Sequence, residues 1–562
     1  MEKEVRLMKS LICALNTKYI HSSLAPWCLK AGVMEFAKDV ECNVFEGTIN
    51  ESENILLEKI LGYDFDMIGF CTYIWNVNKV LSLCKSIKEL KGNIRIALGG
   101  PEVGYRAGDV LLNNPPVDYV ISGEGEEPFG RLCNGDDVSD IPGVSYRDNG
   151  EIVIKKPYVM EKTPPSPYTD EYFSALDGRI SYIETSRGCP YSCAFCLSGG
   201  CGGVRFFDID SAKENILKLA ASGTKTVKFV DRTFNADKKR ARELFSFIIE
   251  NYGGEIPEGV CFHFELEGEI IDEETIELLS EAPMGAIQVE IGLQSFNERT
   301  LEKINRKTNI KLLCENIKKI IALGNIHTHI DLIAGLPYED IKSFENSFNK
   351  ALMLKPHMLQ LGFLKLLYGS DLREKSDYVF EFDKDPPYEV IATPHISREE
   401  LLLLHKIEDV FERFYNSLRF QRTAEYLHSI FENPFEMYKS LALCMENSEN
   451  TDTLDGFTYF IYTYFSRLEG VNADALRDLL CEDRLSTNRM GALPDFLKIY
   501  SPILKKALNF LDSKEETKRK KGIKRAATVL KTTGELMYVD YENINPVTKS
   551  YPVKKIKIEG IF

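Results

Sequence analysis

The chain has 562 residues, enough for about two to four domains, each with its own core. Its hydrophobic fraction of 44 % and charged fraction of 27 % are those of globular protein, and a net charge of −16 excludes any global attraction to nucleic acid. No apolar run reaches the roughly 20 residues needed to span a bilayer, the N-terminal MEKEVRLMKSLICAL is too charged for a cleavable signal, and 14 cysteines here are not a disulfide framework; the expected setting is a reducing, anaerobic cytoplasm.

Residues 1–150 alternate strand-like and helix-like runs. SLICAL (10–15), VECNVFEG (40–47), FDMIGFCTYI (65–74), IRIALGG (94–100) and VDYVISGEGE (117–126) read as strands, with helices around 24–38 and 76–90. Units of this length argue for a doubly wound parallel sheet, which binds ligands outside the carboxyl ends of its strands. Three of those ends carry polar or glycine punctuation: Cys71-Thr72-Tyr73, Gly99-Gly100-Pro101-Glu102 and Gly123-Glu124-Gly125-Glu126. Glycines there let backbone come close to a bulky ligand and offer amides to its oxygens. Residues 127–175 read as a connector holding a hairpin turned at Asn149-Gly150, followed by the proline-rich KTPPSPY.

The next stretch, SYIETSRGCPYSCAFCLSGGCGGVRF (181–206), carries Cys189, Cys193 and Cys196 as C-x3-C-x2-C. Three thiolates on one tight loop hold three irons of a 4Fe–4S cube, which is normally held by four, and leave one iron open to another ligand. A zinc knot would need a second C-x2–4-C pair, and no convincing partner exists. Cys201, five positions beyond the triad in SGGCGG, is either incidental or a reactive thiol. Strand–helix alternation then continues to about 367, with candidate strands at 181–186, 226–231, 260–268, 286–295, 328–337 and 358–366. Their ends carry Asp231-Arg232, Glu265 and Glu267, Glu290, Gln294-Ser295, Asp331 and Gly335-Leu336-Pro337, where barrel chemistry belongs.

The three-cysteine motif, with the aromatic Phe195 before its last cysteine, resembles that of the radical S-adenosylmethionine (SAM) enzymes. EIGLQSFNERTLEKINR (290–306) and DLIAGLPYE (331–339) are similar to strand motifs of their coproporphyrinogen-oxidase-like members. The resemblance implies a partial (β/α)6 barrel in which Cys189, Cys193 and Cys196 hold a 4Fe–4S cluster. In it Gln294 and Asp331 bind the ribose hydroxyls of SAM, and Glu265 and Arg306 its amino and carboxylate groups. Gly335 and Pro337 pass by the adenine. In that family electron transfer cleaves SAM to a 5′-deoxyadenosyl radical, and an external one-electron donor of flavodoxin or ferredoxin type is implied.

The glycine-punctuated strand ends upstream look like the cobalamin-binding domain of the cobalamin-dependent class of these enzymes. By that resemblance Thr72, Gly99, Gly100, Pro101, Glu102, Gly123, Glu124 and Gly125 border cobalamin. The departure is the loop after the first strand, Asn16 to Leu24, which lacks the D-x-H-x-x-G motif of proteins that ligate cobalt through histidine. His21 lies in that loop as either a cobalt ligand or a hydrogen-bonded loop residue.

Past FDKDPPYEV (382–390) the pattern turns helical. SREELLLLHKIEDVFERFYNS (397–417) opens with a capping box at Ser397 and Glu400, and helices are expected near 422–446, 456–468, 473–481, 494–511 and 514–530. The aromatics Phe457, Tyr459, Phe460, Tyr462, Tyr464 and Phe465 read as core. KRKKGIKR within 514–531 is the one basic block, read as a solvated helix face rather than an RNA contact. Runs 535–543 and 550–560 read as a closing β-hairpin. The expected domains are thus 1–150, a connector at 151–175, the barrel at 176–390, and a mainly α-helical domain at 391–562. The class implies methylation of an unactivated carbon. Rival readings are a cobalamin enzyme that does not transfer methyl, a cobalamin-responsive binding protein without turnover, and a tRNA-modifying methylthiotransferase with Cys13, Cys42 and Cys71 on a second cluster.

Overall fold

The computed structural model describes residues 7–200, 202–489, 492–512, 526–539 and 541–557. The chain divides into two compact units. The first is Met1–Ile271 with Glu302–Lys307 and Phe363–Thr393; the second is Asp272–Leu301 with Thr308–Gly362 and Pro394–Phe562.

The first unit begins with β1 (Met8–Asn16), β2 (Val40–Thr48), β3 (Met67–Cys71), β4 (Arg95–Gly99) and β5 (Tyr119–Ile121), all parallel, followed by β6 (Val144–Asp148) and β7 (Glu151–Val153), which run antiparallel. Their order is β2-β1-β3-β4-β5-β6-β7. Such a sheet is covered on both faces, so its strands are apolar throughout. In β1, Leu11, Cys13 and Leu15 enter one core with the helices Glu53–Leu61 and Val77–Leu90. Ile12 and Ala14 enter the other, with Val33, Phe129 and Leu132. Phe129 and Leu132 belong to the helix Glu126–Asn134, packed on the helix Ala25–Phe36. Part of the expected connector is therefore core. The hairpin forms as its turn residues dictate, with φ of 48° at Asn149 and 93° at Gly150, and it extends the sheet.

Still in the first unit, β8 (Ser181–Ile183) is followed by β9 (Ser186–Cys189) and β10 (Gly203–Phe206), an antiparallel ribbon around the cysteine loop. β11 (Thr226–Phe229) pairs in parallel with both β8 and β12 (Cys261–Leu266). The helices Ile209–Ala221 and Lys238–Asn251 complete these β/α units, each capped by an aspartate, Asp208 and Asp237.

The second unit holds β13 (Ile287–Gln294) and β14 (His327–Ala334), paired in parallel, with β15 (Met358–Phe363) next to β14. All six strands expected between 181 and 367 are thus present. The helices from Arg398–Phe411 to Ser501–Asp512 follow. The first of them has the expected capping box, with Ser397 and Glu400 bonding each other's backbone amides. Phe348 meets Phe411, Phe435 and Tyr438 edge-on at 5.0, 5.5 and 5.9 Å, an aromatic core under these helices.

Two expectations are corrected here. In the helix Leu454–Phe465, Phe457, Phe460 and Phe465 are buried but Tyr459 is 53 % exposed, because a hydroxyl-bearing ring is cheaper to leave at the surface. Within the expected helix 514–530, Ala527–Val529 is a strand, pairing with Leu536–Val539, which also pairs with Val553–Ile556. The closing hairpin is thereby a three-stranded sheet. Its first strand is fully buried and β-branched at Thr528 and Val529. The rest of the basic block up to 525 lies outside the described residues.

Candidate functional site: a cysteine loop beside a strand-end cavity

The loop from Cys189 to Cys196 has almost no regular structure of its own, and distant segments hold it. On one side, Ala194 N donates to Ile304 O at 2.8 Å, and Asn305 Nδ2 donates to Ser192 O and Oγ at 2.9 and 2.7 Å. On the other, Leu372 N donates to Ala194 O at 2.8 Å. The strand entering the loop is fixed by Asp231, just past the end of β11. Its carboxylate accepts Thr185 N at 3.0 Å, Thr185 Oγ1 at 2.7 Å and Ser186 Oγ at 2.5 Å. Burial pushes this carboxyl up to about 6 against those hydrogen bonds.

Two of the three thiols have polar neighbours. Cys189 Sγ lies 3.3 Å from Thr233 Oγ1. Cys193 Sγ accepts from Arg306 Nη1 at 3.8 Å, and Arg306 Nη2 is ion-paired with Glu267 Oε2 at 3.0 Å. Burial raises the Cys193 thiol; Arg306 opposes that rise, while Cys196 and Cys189 add to it. Cys189 and Cys196 are thus close enough to Cys193 to act on it electrostatically, and the Arg306 guanidinium lies against Cys193 itself.

Two residues before Cys189, Arg187 forms the centre of a charge lattice. It lies 3.2 Å from Glu124, 2.9 Å from Glu126 and 2.8 Å from Glu184, and Glu124 also pairs with Arg205. Glu124, Glu126, Glu184 and Arg187 form part of the wall of a cavity of about 730 Å³. The carboxyl ends of the parallel sheet supply Asn16, Cys71, Gly99 and Gly100; Tyr182, Lys228, Arg232 and Glu265 close the cavity from β8, β11 and β12. This is the crevice at which doubly wound sheets bind ligands, and its size is in the range of a large cofactor site.

Of the residues expected to border cobalamin, Gly99, Gly100, Gly123, Glu124 and Gly125 line this cavity. Thr72, Pro101 and Glu102 do not. Thr72 is fully enclosed, its hydroxyl bonded to Phe70 O at 3.3 Å. Pro101 is exposed at the start of a short helix. Glu102 is turned inward, where it pairs with Arg106 and accepts the Tyr388 hydroxyl. The turn needs glycine for a reason internal to the protein: Gly100 has φ of 112°, and a Cβ there would sit 2.4 Å from Thr72 O. His21 lines the cavity, with Nδ1 2.8 Å from the Tyr182 hydroxyl; burial and Lys228 hold it below the ordinary histidine range. It is a neutral imidazole fastened to β8.

Among the other expected residues, Phe195 is half-buried on the loop. Arg306 adjoins Cys193, but the carboxylate bonded to it is Glu267. Glu265 instead lies 3.8 Å from Arg232 at the cavity. In the second unit, Gln294 ends β13 at a register shift, with φ of 71°; its Oε1 is buried and has no hydrogen-bond partner. Such strain and an unpaired buried acceptor mark a position shaped for a ligand. Asp331 Oδ1 lies 3.0 Å from His329 Nε2, and Glu290 lies 3.6 Å from His329 Nδ1. Gly335 has φ of 83°, and Pro337 O accepts Thr300 Oγ1 at 2.8 Å. Cys201 lies outside the described residues.

The structure also identifies residues that the motifs did not. Thr233, Asn305 and Arg187 touch or hold the cysteine loop, and Glu339 locks Ser295, next to Gln294, at 2.5 Å. Arg187, immediately before the Gly188-Cys189 pair, was readable as a charge at the loop entrance; Glu339 and Asn305 carried no spacing signal. Cys13, Cys42 and Cys71 do not converge. Cys13 belongs to one core of the parallel sheet, and Cys42 and Cys71 to the other. Burial pushes Cys42 up to about 11 and Cys71 up to about 12, and Cys13 is raised as well.

Three family models match the chain: the B12 binding domain over residues 12–133, the Radical SAM superfamily over 183–351, and a protein of unknown function (DUF4080) over 376–555. The chain is 30 % identical over 332 residues to 2-(S-pantetheinyl)-carbapenam-3-carboxylate methyltransferase of Streptantibioticus cattleyicolor, covering 52 % of this chain and 46 % of that protein. It is 29 % identical over 332 residues to the cobalamin-dependent radical SAM methyltransferase TokK of Streptomyces tokunonensis, covering 53 % and 47 %. The chain thus spans about half the length of these curated relatives. Among solved structures, the cobalamin-dependent S-adenosylmethionine radical enzyme OxsB with aqua-cobalamin bound has a TM-score of 0.56 at 14 % identity, over 85 % of this chain and 79 % of that one. That likeness is one of fold.

Proposed function

We propose that the chain, whose residues 12–133 match the B12 binding domain and 183–351 the Radical SAM superfamily, is a cobalamin-dependent radical SAM methyltransferase acting on an unactivated carbon of its substrate. The observation that carries the proposal is adjacency. Arg187 is part of the wall of the 730 Å³ strand-end cavity and stands two residues from the first cysteine of the C-x3-C-x2-C loop. The wall of the cavity and the cysteine loop thereby meet on one piece of chain, residues 184–196.

The residues fit the groups. Cys193 lies beside the Arg306 guanidinium with Cys189 and Cys196 near it, the cavity is bordered by glycine-bearing strand ends, and the buried Gln294 Oε1 is an acceptor suited to a ribose hydroxyl. When bound, the 4Fe–4S cluster and SAM supply radical chemistry and cobalamin supplies methyl-transfer chemistry. Cys189, Cys193 and Cys196 would hold the cluster, and Arg306, neutralised by Glu267, would keep a cation beside Cys193. The lattice of Glu124, Glu126, Glu184, Arg187 and Arg205 keeps the cavity wall charged yet internally paired, so the wall stays fixed when water leaves. His21, fastened to Tyr182, occupies the cavity wall as a hydrogen-bonded residue. Gln294, Asp331, Gly335 and Pro337 remain the proposed SAM contacts from β13 and β14, with Glu267 joining Glu265 as a candidate partner for the SAM amino group.

A reducing, cytoplasmic setting and an external one-electron donor belong to the same proposal. No disulfide joins the thirteen cysteines among the described residues, and none of the described helices is long and apolar enough to cross a membrane. The methylthiotransferase reading finds no support in Cys13, Cys42 and Cys71, which lie in separate cores.

The test is anaerobic reconstitution with iron, sulfide and hydroxocobalamin, followed by mass spectrometry of SAM products under a strong reductant. The expected result is one four-iron cluster, bound cobalamin, and 5′-deoxyadenosine that Cys193→Ala abolishes. Two clusters per chain and no bound cobalamin would overturn it.

A further inference from the structure

Thr233 opens a short 3-10 turn after β11, a position at which threonine ordinarily turns its hydroxyl onto the backbone amides that follow. Here it makes no such bond. The side chain is 6 % exposed, and its Oγ1 lies 3.3 Å from Cys189 Sγ. Nothing about the turn requires that choice. The geometry is imposed by Asp231, two residues earlier, whose three bonds to Thr185 and Ser186 lock the turn against the strand entering the loop.

Between a thiol and a hydroxyl either atom can donate. A metal-bound cysteine has lost its proton and only accepts. The Thr233 hydroxyl is then left with one role, donating to the Cys189 sulfur. We propose that Thr233 is a positioning residue that raises the reduction potential of the cluster by hydrogen bonding to Cys189 Sγ; this rests on the cluster reading above. Reduction adds one electron, drawn from an external one-electron reductant, to a cluster whose sulfurs already carry negative charge. A donor aimed at one of those sulfurs stabilises the reduced form more than the oxidised form. The bond belongs to Cys189 alone, whereas Cys193 is served by Arg306.

The experiment compares wild type, Thr233→Val and Thr233→Ser, reconstituted anaerobically and poised with dithionite and mediators while the reduced cluster is followed by electron paramagnetic resonance. Thr233→Val, which keeps shape and loses the donor, is expected to lower the reduced-to-oxidised ratio at fixed potential about tenfold, a shift of about 59 mV for a one-electron couple. Thr233→Ser restores the wild-type value, which a merely packing role would not do. Equal potentials in wild type and Thr233→Val at equal iron content overturn the assignment. If Thr233→Val does not assemble its cluster, Thr233→Ala makes the same comparison. Absence of any four-iron signal in wild type overturns the cluster reading itself, so the two failures are distinguishable.

Discussion

Glu339 puts a buried carboxyl directly behind the strand-end loop that carries Gln294. It is 1 % exposed and accepts the Ser295 and Ser347 hydroxyls at 2.5 and 3.1 Å, while its Oε2 has no partner. Burial, opposed by those hydroxyls, lifts it from 4.5 to about 7. The folded value lies above the unfolded one, so the stability it contributes is fully present below pH 4.5 and is lost as pH rises through 7. The gap of about 2.5 pH units corresponds to roughly 3 kcal/mol. Glu339→Gln keeps an oxygen for Ser295 and removes the charge. The assay is hydrogen exchange, corrected for intrinsic rates, of peptides covering 290–300 and 336–347 at pH 5 and pH 8. The wild type should open more easily at pH 8, by up to roughly two decades in the opening equilibrium, and the variant should show no such loss. Parallel pH dependence in both proteins, or a variant less protected than wild type at pH 8, would refute the reasoning.

Other expectations follow from single contacts. Arg306→Gln removes the cation beside Cys193 and breaks the largely buried pair with Glu267, at a cost of about 3–5 kcal/mol; iron content after reconstitution should fall, and thermal unfolding should shift down. Gly100→Ala forces a side chain into φ of 112° against Thr72 O, a strain of at least about 1–3 kcal/mol, and hydroxocobalamin binding followed by its visible spectrum should weaken. His21→Ala should leave bound cob(II)alamin with an unchanged paramagnetic spectrum, because the ring is held by Tyr182; loss of an axial nitrogen coupling in the variant would show that His21 does ligate cobalt.

Much of the first unit was legible because apolar strands and glycine punctuation are local signals. SLICAL lies within β1, and the Gly99-Gly100 and Gly123-to-Gly125 turns reach the cavity. What the local pattern did not show is set where a distant partner decides a side chain's direction. Glu102 sits in the same turn as Gly100, yet Tyr388, far along the chain, draws it inward. Glu265 and Glu267 are two residues apart at the end of β12 and indistinguishable by period; reciprocal bonding of the Glu267 backbone with Asn235 at 2.9 Å fixes which one meets Arg306. The separation of Cys13 from Cys71 is a matter of parity. Register pairs Cys13 with Phe70 and Ala14 with Cys71, so the two thiols point to opposite faces.

The clamps on the cysteine loop also set an order in time. Cys196 leaves the ribosome well before Ile304, Asn305 and Arg306, and longer still before Leu372, yet these are the groups that hold Ser192, Cys193 and Ala194 in place. At about 5–20 residues per second, synthesis between 196 and 372 takes roughly 10 to 35 s. Through that interval Ser192, Cys193 and Ala194 lack these later clamps. The supports of the cysteine loop are therefore complete only after Leu372 is made, and a truncation ending before Leu372 should bear its cysteines without retaining metal.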